Sequence, residues 1–471
     1  MRLACILGPA GSGKSYLLNE RLKGDHQFAL LTATTGVAAL NLGPSVTTLH
    51  SALGFYDLDS MRENRVSIVH RIVQYAYGYK AIVVDEVSML EADMLDELYE
   101  CCLDAVEIIA NLRNGRASQF GLILTGDFLQ LPPVTGRYAF KAKCWPLFEA
   151  HTEVLTKIWR QTDPKFAIAL LAARKGKGVS TAVALVNAGV KFISKPDREF
   201  AGTTLYPTRD SVNLHNKEKY AQLDGEEWES VAVRWGIQKA EWKQIPDFLR
   251  LKAKAKVMAL ANRREALEDG HQGIVYANGS IGHVLPRLCP TSSEFEVSFP
   301  VTGWSGTVKR IQRSAVVKEV PSQYDPMEWD GPDPPALYIE PEEQEEEEEE
   351  ESDKPSELAI RWAHYLAHWR AYVALARSQK RPYYDPVERH WVMGTINYMP
   401  LQLAYALTYH KSQGLTLDSA QIDVRNLMAG AEGMVYVALS RVRDASNLVI
   451  VGNPTQLARR IATSPDVVKW I

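Results

Sequence analysis

The feature that most constrains this chain is a glycine-rich segment that directly follows a short apolar run. Residues 3–7 are apolar without alternation, and residues 8–15 read Gly-Pro-Ala-Gly-Ser-Gly-Lys-Ser. A buried strand that leads through such a loop into a helix is the context of a phosphate-binding loop. Its glycines let backbone N–H groups approach phosphate oxygens, and the start of the helix adds partial positive charge. The sequence therefore predicts an α/β fold with a phosphate site at the end of its first strand.

The residue types within this loop indicate a site for ATP and Mg²⁺. We expect Lys14 to reach the β and γ phosphates and the Ser15 hydroxyl to ligate the metal. A plain glycine-rich turn between strand and helix is the alternative interpretation. The predicted nucleotide-binding residues of the loop are Gly8, Pro9, Ala10, Gly11, Ser12, Gly13, Lys14 and Ser15.

Polar residues that could contact a nucleotide follow two later apolar runs. Asp85 and Glu86 end the run at 81–84, where Asp85 would hold the metal and Glu86 would activate water. An acidic pair in this position can instead cap a helix. Gln130 lies in the segment that ends the next run, and it is placed to sense the γ-phosphate.

Apolar runs without alternation occur in two sets, which predicts two parallel sheets covered on both faces. The first set is at residues 3–7, 28–31, 81–84 and 121–124, and the second is at 203–206, 403–407, 420–424 and 448–451. Within the second set, residues 283–398 differ in character because apolar residues alternate with polar ones from 295 to 301, as in a half-exposed antiparallel strand. This segment predicts a β-rich insert, followed by a helix at about 357–377.

Charge is unevenly distributed along the chain. The formal net charge is −4, but ten glutamates lie between residues 340 and 351, so the rest of the chain carries +6. We expect the acidic stretch 340–353 to be disordered. No run approaches the ~20 apolar residues that a membrane-spanning helix needs, so we expect no membrane partner and a cytoplasmic protein of a bacterial or phage-infected cell.

Eight segments occur in an order that resembles superfamily 1B DNA helicases of the Pif and RecD type, the Dda-like phage enzymes included. These are residues 8–15, 32–39 with 47–50, 85–89, 126–134, 159–161, 278–282, 410–416 and 436–441. The resemblance implies two RecA-like P-loop NTPase domains with a small wedge insert and a β-rich, SH3-like insert. The implied first domain is 1–158 with its wedge at about 52–79, the second domain is 159–282 plus 399–471, and the β-rich insert is 283–398.

The resemblance also implies roles for residues outside the phosphate loop. Arg160 and Arg441 would reach the γ-phosphate as arginine fingers, and Gly414 and Thr416 would lie beside the nucleotide. Together with Lys14, Glu86 and Gln130, the two arginines form the predicted catalytic set, and Ser15 and Asp85 form the predicted metal site. Residues that match or neighbour positions facing DNA are Thr35, His50, Pro133, Thr208, Arg209, Asn278, His410 and Lys411.

The implied activity is that of a monomeric, ATP-dependent DNA helicase that moves 5′ to 3′ on single-stranded DNA. Its partners would be single-stranded DNA, duplex junctions and, as a further expectation, a single-strand-binding protein or a replisome component. Two alternatives stay open at this stage. One is an RNA-directed helicase, and the other is a nucleotide-regulated, strand-binding remodelling subunit that does not unwind.

Overall fold

The computed structural model describes residues 1–112, 120–133, 137–239, 242–243, 245–266, 272–286, 293–317, 320, 323–327, 329, 357–387, 390–428 and 432–470. The predicted acidic stretch 340–353 lies outside these residues.

A six-stranded parallel sheet forms the centre of the first domain. Its strands are β1 (Arg2–Leu7), β2 (Leu30–Ala33), β3 (Thr47–Thr48), β4 (Ala81–Asp85), β5 (Gly121–Gly126) and β6 (Thr152–Val154). Their order in the sheet is β3-β2-β4-β5-β1-β6, so the strands that lead to Asp85, to Gln130 and to the phosphate loop are direct neighbours. Because parallel strands end at the same edge, the sheet brings these three segments together.

Helices cover both faces of this sheet. They are α1 (Lys14–Gly24), α2 (Gly36–Leu42), α3 (Leu49–Leu53), α4 (Leu58–Glu63), α5 (Arg65–Gly78), α6 (Ala92–Leu112) and α7 (Trp145–Glu149). The segment predicted as a wedge, residues 52–79, contains α4 and α5 and the last residues of α3. Its Tyr56 is 78% exposed, whereas Phe55 is buried and the Tyr75 hydroxyl donates to Ala52 O.

The rest of the chain contains a second parallel sheet and several antiparallel sheets. Its strands are, in order, β7 (Lys191–Ile193), β8 (Thr203–Tyr206), β9 (Trp228–Val231), β10 (Val233–Gly236), β11 (Phe248–Leu251), β12 (Lys256–Ala259), β13 (Arg263–Ala266), β14 (Gln272–Tyr276), β15 (Ile281–Val284), β16 (Glu294–Phe299), β17 (Trp304–Lys309), β18 (Ile311–Val317), β19 (Tyr383–Asp385), β20 (His390–Tyr398), β21 (Leu401–Leu403), β22 (Ala406–Thr408), β23 (Ala420–Asp423) and β24 (Leu448–Val451). The second parallel sheet has the order β22-β8-β23-β24-β7. The two parallel α/β layers expected from the sequence are therefore confirmed.

The remaining helices pack mainly around this second sheet and the antiparallel strands. They are α8 (Pro164–Arg174), α9 (Gly178–Asn187), α10 (Arg209–Ala221), α11 (Glu357–Ser378), α12 (Met434–Leu439) and α13 (Pro454–Arg460). Single 3₁₀ turns occur at Val87–Met89, Ala139–Lys141, His410–Ser412, Ala445–Asn447 and Pro465–Trp470. The predicted helix at about 357–377 agrees with α11 to within one residue.

The β-rich region is larger than the predicted insert 283–398. Strand β12 pairs with both β15 and β21, and β10 pairs with β20. Residues 228–284 therefore supply strands to the antiparallel sheets, which corrects the predicted boundary of the second domain. The apolar run at 403–407 is also divided, because β21 joins an antiparallel sheet and β22 joins the parallel one.

Residues distant in sequence complete the hydrophobic core of the first domain. The hairpin β13–β14 lies against α2, where Ile274 N donates to Pro44 O and Ile274 and Ala277 pack with Leu18 and Val83. On the other face of the sheet, Val467 belongs to the cluster that includes Leu124. The first domain therefore depends on contacts from later parts of the chain.

Candidate nucleotide site and interdomain cleft

The loop at residues 8–13 has the backbone geometry of an anion-binding turn. Gly11 and Gly13 have φ angles of +80° and +88°, a conformation that favours glycine. Lys14 begins α1, and its Nζ donates to Gly8 O at 2.8 Å and to Pro9 O at 3.1 Å. The backbone N–H groups at the start of α1 therefore face the adjoining cleft without a side-chain cap.

An acidic pair stands at the end of β4, beside this loop. Asp85 accepts a short hydrogen bond from the Thr125 hydroxyl of the neighbouring strand β5. Glu86 adopts a left-handed conformation, with φ +57°, which is a strained geometry for a residue with a side chain. Burial and the nearby Asp85 raise the pKa of Glu86 to about 7. A carboxyl group with this pKa can accept a proton at neutral pH.

Lys14 supplies the positive charge on this side of the cleft. Burial lowers its pKa, and the carboxylates of Asp127, Glu86 and Asp85 oppose that shift. The lysine and the acidic residues therefore form one electrostatic unit at the ends of β1, β4 and β5.

A cavity of about 850 Å³ separates this unit from the second domain. The residues that line it are Ala10, Gly11, Ser12, Gly13, Lys14, Ser15, Tyr16, Leu17, Ala38, Asn41, Asp85, Glu86, Gln130, Glu153, Leu155, Trp159, Arg160, Gly414 and Arg441. All five predicted catalytic residues line this cleft, as do Ser15 and Asp85 of the predicted metal site. Gly8 and Pro9 belong to the loop but do not line the cavity, and their carbonyls accept from Lys14. Thr416 is exposed and is not among the lining residues.

Two arginines line the cleft: Arg160 lies in the linker between β6 and α8, and Arg441 follows α12. Arg441 is buried, and its guanidinium donates to Val437 O at 2.8 Å and to Leu415 O at 3.2 Å. Burial and the nearby Arg160 lower the pKa of Arg441 to about 10. The backbone N–H of Arg160 donates to Gly11 O at 3.2 Å, which ties the linker to the phosphate loop. Two neighbouring guanidinium groups, of which that of Arg441 is buried, create a strong preference for an anion in the cleft.

Several buried polar atoms around the cleft have no hydrogen-bond partner within the described structure. They are Ser12 Oγ, Glu86 Oε2, Gln130 Oε1 and Gln161 Oε1. A Cβ on Gly11 would lie 3.0 Å from Gln161 Oε1, so this amide also borders the phosphate loop. Because buried polar groups are normally satisfied, these atoms fit a polar ligand such as a nucleoside triphosphate with its metal. Ser15 and Asp85 provide the hard oxygen donors that Mg²⁺ prefers.

The residues predicted to face DNA fall into separate groups. One group contains Arg209, His410 and Lys411. Burial lowers the pKa values of His410 and Lys411, and the nearby charge of Arg209 lowers them further. Lys411 Nζ donates to Gln402 Oε1 at 2.8 Å, and burial with Arg209 lowers its pKa to about 8. Arg209 and Lys411 border a second cavity of about 840 Å³, which Lys217, Lys243 and Lys252 also line.

A second group joins the two domains. Thr35 is the N-cap of α2. The next residue, Gly36, packs closely against Asn262, because a side-chain Cβ at position 36 would lie only 2.4 Å from Asn262 Oδ1. The same Asn262 Oδ1 accepts from the backbone N–H of Asn278 at 2.8 Å. Asn262 therefore lies close to both Gly36, the residue after Thr35, and the backbone of Asn278.

The other three predicted DNA-facing residues occupy different places. Thr208 is the N-cap of α10, directly before Arg209. The His50 ring packs 4.6 Å from the ring of Phe55 in the first domain. Pro133 is buried beyond the end of β5.

Comparison with known proteins relates this architecture to a family. Residues 2–172 match the family described as PIF1-like helicase. The ATP-dependent DNA helicase PIF1 of Rattus norvegicus is 29% identical over 461 residues, which is 94% of this chain and 58% of that protein. Residues 2–172 are therefore similar to PIF1-like helicases. The whole chain spans a little over half the length of this curated relative.

Solved structures of PIF1-like helicases share the fold. The crystal structure of Bacteroides Pif1 bound to ssDNA has a TM-score of 0.65 at 22% identity, covering 99% of this chain and 92% of that chain. A Bacteroides Pif1 structure in complex with ADP-AlF3 and ssDNA has a TM-score of 0.63 at 22% identity, covering 100% and 92%. The PIF1-like fold therefore extends over this whole chain, beyond the 2–172 segment.

Sequence reasoning missed Trp159 as a site residue. Trp159 is 64% exposed at the mouth of the cleft, and Lys157 Nζ lies 3.5 Å from its ring centroid. The Trp159 ring also lies beside the phosphate loop, because a Cβ added to Gly13 would be 3.5 Å from Trp159 Cδ1. The position of Trp159 directly before Arg160 could have indicated a role in the site, because an aromatic ring beside a phosphate loop suits stacking of a base.

A buried network of Asp127, Arg174 and Tyr436 was also missed. Asp127 and Tyr436 lie within segments that carry the family resemblance, but neither was assigned a role. Arg174 gave no signal, because a basic residue at a helix end usually faces solvent.

Within the described residues, no helix is both long enough and apolar enough to cross a bilayer.

Proposed function

We propose that this chain is an ATP-dependent DNA helicase that moves 5′ to 3′ on single-stranded DNA. The observation that carries the proposal is the convergence of Lys14, Glu86, Gln130, Arg160 and Arg441 on one cleft. This arrangement suits hydrolysis of a γ-phosphate that bridges two domains. The relative in complex with ADP-AlF3 and ssDNA supports the assignment, as does the name of the rat relative.

In the proposed reaction, the phosphate loop and Lys14 bind the β and γ phosphates. Glu86 orients and deprotonates the attacking water, and Gln130 contacts the γ-phosphate. Mg²⁺ held by Ser15 and Asp85 would neutralise phosphate charge. Arg160 and Arg441 stabilise the charge that develops as the bond to the leaving oxygen breaks.

Closure of the cleft would link this chemistry to movement along a strand. Because the guanidinium groups and the phosphate loop belong to different parts of the chain, ATP favours the closed arrangement and its products do not. Stacking in duplex DNA contributes about 1.4 kcal/mol per base-pair step, so continuous unwinding requires repeated ATP hydrolysis. Residues of both domains, including Thr35, Asn278 and Lys411, would hold the strand.

The direct test is unwinding of partial duplexes that carry a 5′ or a 3′ tail, each made of DNA or RNA. We expect unwinding of the DNA substrate with a 5′ tail. Unwinding only from a 3′ tail would contradict the polarity, and preference for RNA tails would support the RNA-directed alternative. ATP hydrolysis stimulated by DNA without strand separation would favour the remodelling subunit.

Both cleft walls come from one chain, which supports action as a monomer. A single-strand-binding protein or replisome partner and a cytoplasmic location remain predictions from the sequence. Sedimentation of the chain with and without a tailed duplex would test the monomer.

The pKa of Glu86 predicts the pH dependence of ATP hydrolysis. A raised pKa near 7 means that the carboxyl becomes neutral as the pH falls below 7, and it then cannot accept a proton from water. We expect kcat/KM for ATP to fall about tenfold per pH unit below that value, because kcat/KM reports groups of the free enzyme. The residual rate of Glu86→Gln should lack this dependence. A flat profile of the parent protein between pH 6 and 8 would contradict the role of Glu86.

Lys411 predicts an unusual pH dependence of strand binding. Its pKa of about 8 lies well below that of an ordinary lysine, so the side chain loses its charge between pH 7 and 9. Phosphate contact requires the charged form, and we therefore expect affinity for single-stranded DNA to fall over this range. His410 has a lowered pKa and is neutral throughout it. Lys411→Arg should bind with equal affinity at both pH values, and a parent-like decline in that variant would exclude Lys411 as the cause.

A further inference from the structure

Three buried polar side chains connect the two parallel-sheet domains behind the nucleotide cleft. Asp127 follows β5 in the first domain, Arg174 is the last residue of α8, and Tyr436 lies in α12 of the second domain. Asp127 Oδ1 accepts from Arg174 Nη2 at 2.9 Å, and Asp127 Oδ2 accepts from the Tyr436 hydroxyl at 2.9 Å. Their exposed fractions are 0%, 5% and 2%.

The network extends directly into the phosphate loop. The backbone N–H of Ala10 donates to the Tyr436 hydroxyl oxygen at 2.7 Å. A continuous series of hydrogen bonds therefore runs from the loop through Tyr436 and Asp127 to Arg174. A change in the position of α12 must displace Ala10 or break this series.

Close backbone packing connects the same helix to Gln130. Gly433, the residue before α12, has a φ of +69°, and a Cβ there would lie 2.7 Å from Gln130 O and 3.0 Å from Leu129 O. At the other end of α12, Arg441 Nε donates to Val437 O. One short helix thus contacts the phosphate loop and the Gln130 backbone and also holds Arg441.

Burial of the ion pair indicates that this contact persists as the cleft changes. Separating Asp127 from Arg174 without water would leave two uncompensated charges, which is strongly unfavourable. Arg174 is also held within its own domain, where its carbonyl accepts from the Thr463 hydroxyl at 2.9 Å. The pair is therefore suited to act as a pivot, around which the outer parts of the cleft open and close.

We propose that Asp127, Arg174 and Tyr436 form an interdomain joint of positioning residues that transmits strand-induced movement of the second domain to the phosphate loop and Gln130. The inference rests on the proposed DNA-dependent ATP hydrolysis. It predicts that breaking the joint reduces the acceleration of hydrolysis by DNA more than it reduces DNA binding.

The test is Tyr436→Phe, which removes one hydroxyl group and retains the buried ring. We expect the ratio of DNA-stimulated to unstimulated kcat to fall at least tenfold. The DNA concentration for half-maximal stimulation should stay within threefold of the parent value. Tyr409→Phe is a matched control, because the buried Tyr409 hydroxyl donates to Asp423 O at 2.7 Å within the second domain. A stimulation ratio in Tyr436→Phe equal to that of Tyr409→Phe would overturn the joint.

A double-mutant cycle tests whether the ion pair belongs to the same unit. Asp127→Asn and Arg174→Met should each lower the stimulation ratio, and the double variant should be no lower than the worse single variant. Losses that multiply in the double variant would overturn a single joint. If either variant fails to fold, Tyr436→Phe still decides the question. A parent protein whose ATP hydrolysis does not respond to DNA would instead overturn the proposed function.

Discussion

Replacing Lys14 with alanine should abolish ATP turnover, with kcat falling on the order of 10³-fold or more. Removing one preorganised donor from a developing negative charge costs about 10²–10³ in kcat. Lys14 should have at least this effect, because its full charge serves both the β and γ phosphates. In the structure its Nζ is held by Gly8 O and Pro9 O at the base of the loop, which places it before the nucleotide arrives.

Steady-state phosphate release and single-strand binding should be measured on the same preparation. Lys23→Ala is a suitable control, because Lys23 lies on the same helix and its side chain is 72% exposed. Thermal unfolding must also be compared, since Lys14→Ala removes the buried cation that lies near Asp85 and Glu86. Turnover near the parent rate in a folded Lys14→Ala protein would show that this loop is not the ATP site.

The substitution Glu86→Gln should leave ATP binding intact and reduce kcat about 10²–10⁴-fold, the range for loss of a general base. Glutamine retains the size of the side chain but cannot accept a proton from water. Because removing a carboxylate also relieves repulsion with Asp85, nucleotide affinity should be equal to or greater than that of the parent.

Single-turnover hydrolysis and equilibrium binding of a fluorescent ATP analogue separate these two effects. Glu20→Gln provides the same chemical change at an exposed site on α1, where Glu20 pairs only with Lys23 among the contacts described. Weak nucleotide binding together with an unchanged single-turnover rate would assign Glu86 to binding rather than to chemistry.

Most of the nucleotide site could be predicted because its determinants are local. A strand, a glycine-rich turn and a helix start are encoded in consecutive residues, and neighbouring parallel strands bring Lys14, Asp85 and Gln130 to one edge. Arg160 and Arg441 required a family resemblance, since neither has a local pattern that points to a phosphate.

The errors arose where distant segments meet. Val233–Gly236 pairs with residues 394–397, and no local periodicity reveals a partner so far along the chain. The extent of the β-rich region was therefore underestimated. Thr416 was placed by its match to the family pattern, and in the folded chain it is exposed and does not line the cavity. Arg174 was missed because only the folded chain shows Asp127 beside it.

The dependence of the first domain on Ile274, Ala277 and Val467 has a consequence during synthesis on the ribosome. At about 5–20 residues per second, the roughly 300 residues between the end of that domain and Val467 take about 15–60 s to emerge. Throughout this interval, the apolar surface that Val467 covers is open to solvent. The nascent chain should therefore be a substrate for chaperones that shield apolar segments, and a fragment limited to residues 1–158 should aggregate more readily than the whole chain.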